Sequence, residues 1–205
     1  MPGLAVRLYH LPSRSGKGGV GKTTTTANVG AGLSLLDKKV VLVDTDIGLR
    51  NLDVVMGLEN RILYNLVDVL SGRCRAKQAI IRDKRFPNLS VIPSSCTKEK
   101  ILLDSDQMKH LLDDLRQEFD YILVDSPAGI DQGFLLAITG ADRIVVVTTP
   151  QIAAIHDADC VLQILKTHYT VKTELLINGF RKHMVKDGDM LNIDDICDLQ
   201  PQPLR

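Results

Sequence analysis

Eight residues, Gly16-Lys17-Gly18-Gly19-Val20-Gly21-Lys22-Thr23, fit the spacing G-x-x-x-x-G-K-[ST] at every fixed position. Glycines at this density let a backbone wrap an anion with its N–H groups pointing inward. Lys22 is placed to bring a positive charge to the β- and γ-phosphates of a nucleotide, and the Thr23 hydroxyl to hold Mg2+. A helix is expected from about Lys22 into Leu36, with its positive dipole end turned toward the same anion. The same letters spell Gly16-x-Gly18-x-x-Gly21, a dinucleotide-binding fingerprint, with Asp44 at the spacing of a ribose-binding acid. The Lys22-Thr23 pair directly after Gly21 favours a nucleoside triphosphate.

Further polar residues fall where such a site needs them. Asp44 and Asp46 follow an apolar run at residues 39–43. One residue apart on an extended strand end, they point to different sides, so one can reach water or Mg2+ while backbone holds the other. Asp125 closes the run 121–124 and opens Ser126-Pro127-Ala128-Gly129. That is the place of the second Mg2+-binding acid in phosphate-loop enzymes. The dinucleotide reading explains neither Asp125 nor Lys22-Thr23. Asn178 ends the last apolar run, with Arg181 nearby. An amide there either reads an adenine edge through its paired donor and acceptor or makes a simple strand-end turn.

A layered fold must bring these residues to one edge. Short apolar runs at 39–43, 121–124, 143–148 and 174–177, and a weaker one at 89–92, alternate with helical periodicity. That alternation predicts βαβ units and a parallel sheet covered on both faces. Leu63, Leu66, Val67 and Leu70 recur at i, i+3, i+4 and i+7, as do Met108, Leu111, Leu112 and Leu115. Ala158, Val161, Leu162 and Leu165 repeat the arrangement, and all three stripes read as core. The first strand departs from the pattern. A strand over residues 5–11 would carry Arg7 and His10 into a doubly covered sheet, with Pro12 just beyond.

Composition excludes several classes. Lys plus Arg and Asp plus Glu both number 25, so net charge marks out no nucleic-acid surface. Trp is absent and aromatics are 4%, which argues against stacking platforms for single strands. Cys74, Cys96, Cys160 and Cys197 are scattered without metal-ligand spacing and read as reduced thiols. No apolar run reaches the length of a membrane span.

From Ser15 to Thr24 the chain resembles the deviant phosphate loop of the MinD/ParA ATPases, whose mark is the extra lysine Lys17. Residues 44–53, 56–61, 125–130, 148–150, 157–159 and 184–190 extend the likeness, toward the MinD branch of bacteria and plastids in particular. The resemblance covers about residues 15–195. It implies one P-loop domain over residues 1–205, a three-layer α/β/α fold with a mostly parallel sheet. It implies ATP and Mg2+ as cofactors and an ATPase that acts as a switch in septum placement. ATP would bind between two subunits of a face-to-face homodimer, cradled by Gly16, Gly18, Gly19, Val20 and Gly21. Lys17 would reach the partner's nucleotide while Lys22 serves its own. Thr23 would ligate Mg2+, Thr24 would contact the α-phosphate, and Asp125 would hold Mg2+ through water. Asp46 would orient the attacking water with Asn51 close by, and Asn178 would serve the nucleotide. The implied partners are a MinC-like division inhibitor and a MinE-like activator, with no nucleic acid. The implied location is the bacterial cytoplasm or the plastid stroma, peripheral to the inner membrane in full-length relatives.

Departures and rivals accompany the resemblance. Gln151, His156 and Cys160 stand where the branch usually carries Glu, Arg and Arg. The sequence ends at Arg205, ahead of the family's further strand and helices and of its basic amphipathic tail. Residues 192–199 carry three acids on a short segment and Pro201 and Pro203 follow, so residues 1–205 alone are not expected to bind anionic membranes. A nitrogenase-type iron protein would need a cysteine within residues 126–134, which hold none. A DNA-partition ATPase, a flagellar-number regulator and an inactive interaction protein remain as alternatives.

Overall fold

Near-continuous apolar runs ask for burial on both faces, and the sheet supplies it. The computed structural model describes residues 4–9, 19–96, 104–127 and 138–198. Within them the strands are β1 (Leu4–Tyr9), β2 (Val40–Asp44), β3 (Ile81–Arg82), β4 (Leu89–Ile92), β5 (Tyr121–Asp125), β6 (Arg143–Thr148) and β7 (Lys172–Ile177). They form one sheet in the order β3-β4-β2-β5-β1-β6-β7. Every pairing is parallel except that of β3 with β4.

The side-chain period of two divides the strands between two cores. Val41 and Val43 join Ile92, Ile122 and Val124 on one face, against α3 (Leu66–Leu70), Ala79 of α4 (Ala76–Ala79) and α5 (Ser105–Arg116). Val40 and Leu42 join Leu89, Val91 and Leu123 on the other, against Ala27 of α1 (Lys22–Leu35) and against Leu52 and Met56 of α2 (Leu52–Met56). A third cluster seats α6 (Ile152–His168) on Ile144 and Val146 of β6. The result is the expected three-layer α/β/α arrangement.

Two sequence expectations change on this fold. The helix expected to carry Leu63 begins after it, at Leu66, and Leu63 is 80% exposed. Asn65 sets that boundary. Its side chain accepts from the N–H groups of Val67 and Asp68, while Asp68 accepts from the Asn65 N–H, a closed capping box. The doubtful first strand, in turn, is central, paired with β5 on one side and β6 on the other. It begins one residue earlier than expected, at Leu4, and runs through Tyr9; residues 10–12 lie outside the described residues. Ala5 is fully buried, and its N–H donates to Asp142 Oδ2 at 2.8 Å.

Close helix–sheet contact fixes α1, which carries the phosphate-loop lysine. A Cβ at Gly30 would lie 2.6 Å from Leu42 Cδ2 and 3.2 Å from Leu89 Cδ1, both in fully buried side chains. Gly30→Val is therefore expected to lower stability by about 2 kcal/mol, overpacking outweighing the few tenths that valine gains over glycine in helix preference. Thermal unfolding checks this. An unchanged Tm would mean that α1 does not sit this close to β2.

Candidate functional site

Strand β2 and strand β5 are neighbours with Asp44 opposite Asp125, so two carboxylates end adjacent parallel strands at the same level. This is the carboxyl edge, where ligands bind in open α/β sheets. The end of the phosphate loop arrives from the α1 side. Gly19 (φ +102) and Gly21 (φ +87) hold left-handed backbone, a conformation that side chains resist. Gly16, Lys17 and Gly18 lie outside the described residues. Gly21 opens α1 with no side-chain cap and no acid in the first turn, leaving the positive helix end for an external anion.

Three α1 side chains converge on Asp125, which is 1% exposed. Lys22 Nζ stands 3.0 Å from its Oδ1. The Thr23 hydroxyl donates to Oδ2 at 2.6 Å. The Thr26 hydroxyl is shared between the Lys22 carbonyl at 3.1 Å and Asp125 Oδ1 at 3.4 Å. The Asp125 carbonyl accepts from both the N–H and the hydroxyl of Thr45. Sequence reasoning named Lys22, Thr23 and Asp125 but missed the two threonines. Thr26 was findable, lying one helical turn beyond Lys22 and Thr23. Thr45 had no signal beyond its place after Asp44.

The acid pair divides as its spacing predicts. Asp44 is fully buried, with Oδ1 accepting from the Asp46 N–H at 2.9 Å and Oδ2 from the Leu52 N–H at 3.3 Å. Asp46 is half-buried on the loop beyond, and Asn51 is exposed at the start of α2 without a side-chain cap bond. Burial pushes the Asp44 carboxyl up to about 7, with the charges of Asp125 and Asp46 adding to the rise against those two backbone donors.

Asn178, at the end of β7, is drawn into the loop. Its Nδ2 donates to the Val20 carbonyl at 2.8 Å, and its Oδ1 accepts from the Gly179 N–H at 2.9 Å. A Cβ on Gly21 would fall 2.3 Å from that Nδ2. The amide thus braces the loop's backbone, a contact 158 residues apart in sequence that no local pattern announces. Val20 is buried against Val147, while Thr24 is exposed on the first turn of α1.

Known proteins resolve the family. A family model described as an AAA domain matches residues 13–178. The septum site-determining protein MinD of Bacillus subtilis (strain 168) is 53% identical over 184 residues, covering 89% of this chain and 69% of that protein. The chain belongs to the MinD family of septum site-determining ATPases. The MinC:MinD cell division protein complex of Aquifex aeolicus superposes with a TM-score of 0.84 at 40% identity, over 96% of this chain and 77% of that one. MinD of Pyrococcus horikoshii OT3, complexed with Mg-ADP, gives 0.81 at 26% identity, over 98% and 79%. Division-site placement is the function class that the MinD family carries, ahead of partition, flagellar-number and iron-protein alternatives.

Mg2+ fits the donor set of this MinD-type edge. Among the described residues no group of three or more His, Cys, Asp or Glu forms a cage. A hydroxyl and one carboxylate are present instead, as suits a small hard cation that keeps waters and shares substrate phosphates.

The Asp44 proton gives a pH signature. Asp44 binds its proton up to about pH 7 in the fold and to an ordinary 3.8 when unfolded. Its stabilising contribution is therefore complete below about pH 4 and is lost as pH rises toward 7. At 1.36 kcal/mol per pH unit the full window is worth about 4 kcal/mol. Asp44→Asn keeps an acceptor oxygen and removes the titration. In protein free of nucleotide and Mg2+, the Tm of the variant relative to the parent is expected to rise by several degrees from pH 5 to pH 8. Calorimetry across that range checks it, and a constant difference would give Asp44 an ordinary acidity.

Proposed function

We propose that this chain binds Mg·ATP at the carboxyl edge of the sheet and hydrolyses it as the nucleotide switch of division-site placement. The observation that carries the reading is the convergence of Lys22, Thr23 and Thr26 on buried Asp125 beside an uncapped helix start. On phosphate binding, Lys22 exchanges its carboxylate partner for the β- and γ-phosphate oxygens, so its charge is never left unpaired. The glycine-rich stretch from Gly16 to Gly21 would cradle the phosphates, and Thr24 lies on the exposed first turn where the α-phosphate would sit. Thr23 and Asp125 would hold Mg2+, the latter through water; bound there, the ion neutralises charge that develops on the phosphate oxygens. Asp46, half-buried on the loop beyond Asp44, orients the attacking water with Asn51 beside it. The water oxygen bonds to the γ-phosphorus as the bond to the bridging oxygen breaks, giving ADP and phosphate. Asn178 serves the nucleotide through the loop it braces.

Family membership supports the finer points of this reading. Residues 1–205 act as one P-loop domain. ATP joins two copies face to face, with Lys17 of each copy serving the other's nucleotide. The dimer recruits a MinC-like inhibitor, and a MinE-like activator ends the ATP state by stimulating hydrolysis. The setting is the bacterial cytoplasm or the plastid stroma, with full-length relatives peripheral to the inner membrane. Among the described residues no helix is long and apolar enough to cross a membrane.

Lys22→Ala is expected to weaken ATP binding about 10–100-fold, the worth of a hydrogen bond to a charged group. Titration of a fluorescent ATP analogue checks it, and an equal Kd would remove the phosphate-loop assignment. Lys17→Ala is expected to keep ATP but to remain monomeric with a non-hydrolysable analogue, as read by light scattering. A normal dimer would place the inter-subunit contact elsewhere.

A further inference from the structure

The loop that carries Asp46 and Asn51 is held at its far end by Arg50, a residue of the 44–53 stretch to which the family resemblance above gives no role. Arg50 has a left-handed backbone (φ +44), one of two non-glycine residues so placed among those described. A β-carbon is crowded in that conformation, so it persists only where neighbouring contacts enforce it. The contacts are visible. Arg50 Nε donates to Asp53 Oδ2 at 2.9 Å, Nη2 donates to the same oxygen, and Nη1 reaches Cys96 Sγ at 3.0 Å. Asp53 is fully buried in the first turn of α2, and its Oδ1 has no donor among the described residues. The guanidinium is therefore the charge partner of a carboxylate that cannot turn to water.

These bonds clamp the loop as well as neutralising Asp53. At its entry the loop is fixed by Thr45 on the Asp125 carbonyl, and midway by the Gly48 N–H on the Ser95 carbonyl at 2.8 Å. Arg50 closes the exit, tying the turn before α2 both to that helix and to the segment after β4, 46 residues away. Leu49 is 62% exposed and contributes little to holding the turn. Without the guanidinium, the crowded backbone at residue 50 has every reason to relax, and residues 46–51 move with it.

We propose that Arg50 is a positioning residue for hydrolysis, holding the 46–51 loop through Asp53 and Cys96 so that Asp46 meets the attacking water in register. The inference rests on the reading of Asp46 given above. Orientation of a nucleophile is worth orders of magnitude in rate, whereas ATP is held chiefly by the phosphate loop, so the effect belongs in kcat.

The test uses the full chain with Arg50→Ala, Arg50→Gly and Arg50→Lys, beside Asp46→Ala and a matched control. The control is Arg85→Ala, which breaks an ion pair to an equally buried carboxylate, Asp83, and a bond to the Met56 carbonyl at the other end of α2. Arg50→Ala is expected to lower kcat at least tenfold with KM for ATP within threefold. Arg50→Gly, which relieves the backbone but lacks the guanidinium, is expected to match it, and Arg50→Lys to recover part of the rate. In nucleotide-free protein, amide exchange across residues 46–51 is expected to quicken at least tenfold in Arg50→Ala and to stay near the parent in Arg85→Ala. If Arg50→Ala keeps kcat within twofold while Asp46→Ala loses turnover, this inference alone is overturned. Equal loss of kcat and equal loop exchange in Arg85→Ala would overturn it as well, by reducing Arg50 to general stability. Retained turnover in Asp46→Ala would overturn the reading of Asp46 and the inference together.

Discussion

A carboxylate at 1% exposure, Asp125, is the constraint on which the site's construction depends. Burying that charge is tolerable only with a cation and hydrogen bonds in place, and all of them come from one turn and a half of α1. The requirement runs both ways. Lys22 is itself nearly buried and would be costly without the acid. Charge neutrality thus locks the start of α1 to the end of β5, while Thr45 locks the end of β2 to the same residue's carbonyl. Three elements meet at a single side chain and its own backbone.

The same arithmetic explains why Asp44 behaves unlike its neighbour. Asp44 and Asp125 share a level in the sheet, yet the Lys22 ammonium group lies on Asp125. Asp44 receives two backbone N–H groups and, among the described residues, no cation, so burial dominates and its proton is retained toward neutrality. Two adjacent acids in one buried row are made compatible by pairing one and protonating the other. The protonated one also holds the N-terminal N–H of α2, so the loop between them is anchored at its root before any ligand arrives.

Much of this was legible in the sequence, for physical reasons that differ by residue. Strands buried on two faces read as unbroken apolar runs, so β2, β4, β5 and β6 were placed within a residue or better. Lys22, Thr23 and Asp125 were legible because phosphate chemistry fixes their spacing. The central strand β1 was obscured, since Arg7, His10 and Pro12 in its neighbourhood contradict the apolar pattern by which central strands are known. Leu63 fitted a helical stripe that Asn65 ends by capping, and a period cannot report where a cap will win. Arg50 was invisible for a deeper reason. Arginine has no preference for left-handed backbone, and both the buried acid and the thiol that hold it there are tertiary facts.

Helix starts show how the site differs from the scaffold around it. α3 begins with the Asn65 capping box and α5 with Asp104, whose side chain accepts from the Asp106 N–H. α2 is met by buried Asp44. These termini are satisfied from within, as structural helices require. α1 is the 14-residue helix that carries Lys22, and no side chain caps it. Absence of a cap is not decisive alone, because α6 also starts without one, at Gln151. What separates the two is the approach. α1 is entered through glycines at φ +102 and +87, with a lysine and a threonine in its first turn and an amide brace behind the loop. A helix dipole left open, a backbone free of side chains in front of it and a cation held in reserve on a buried acid together describe a place kept for phosphate.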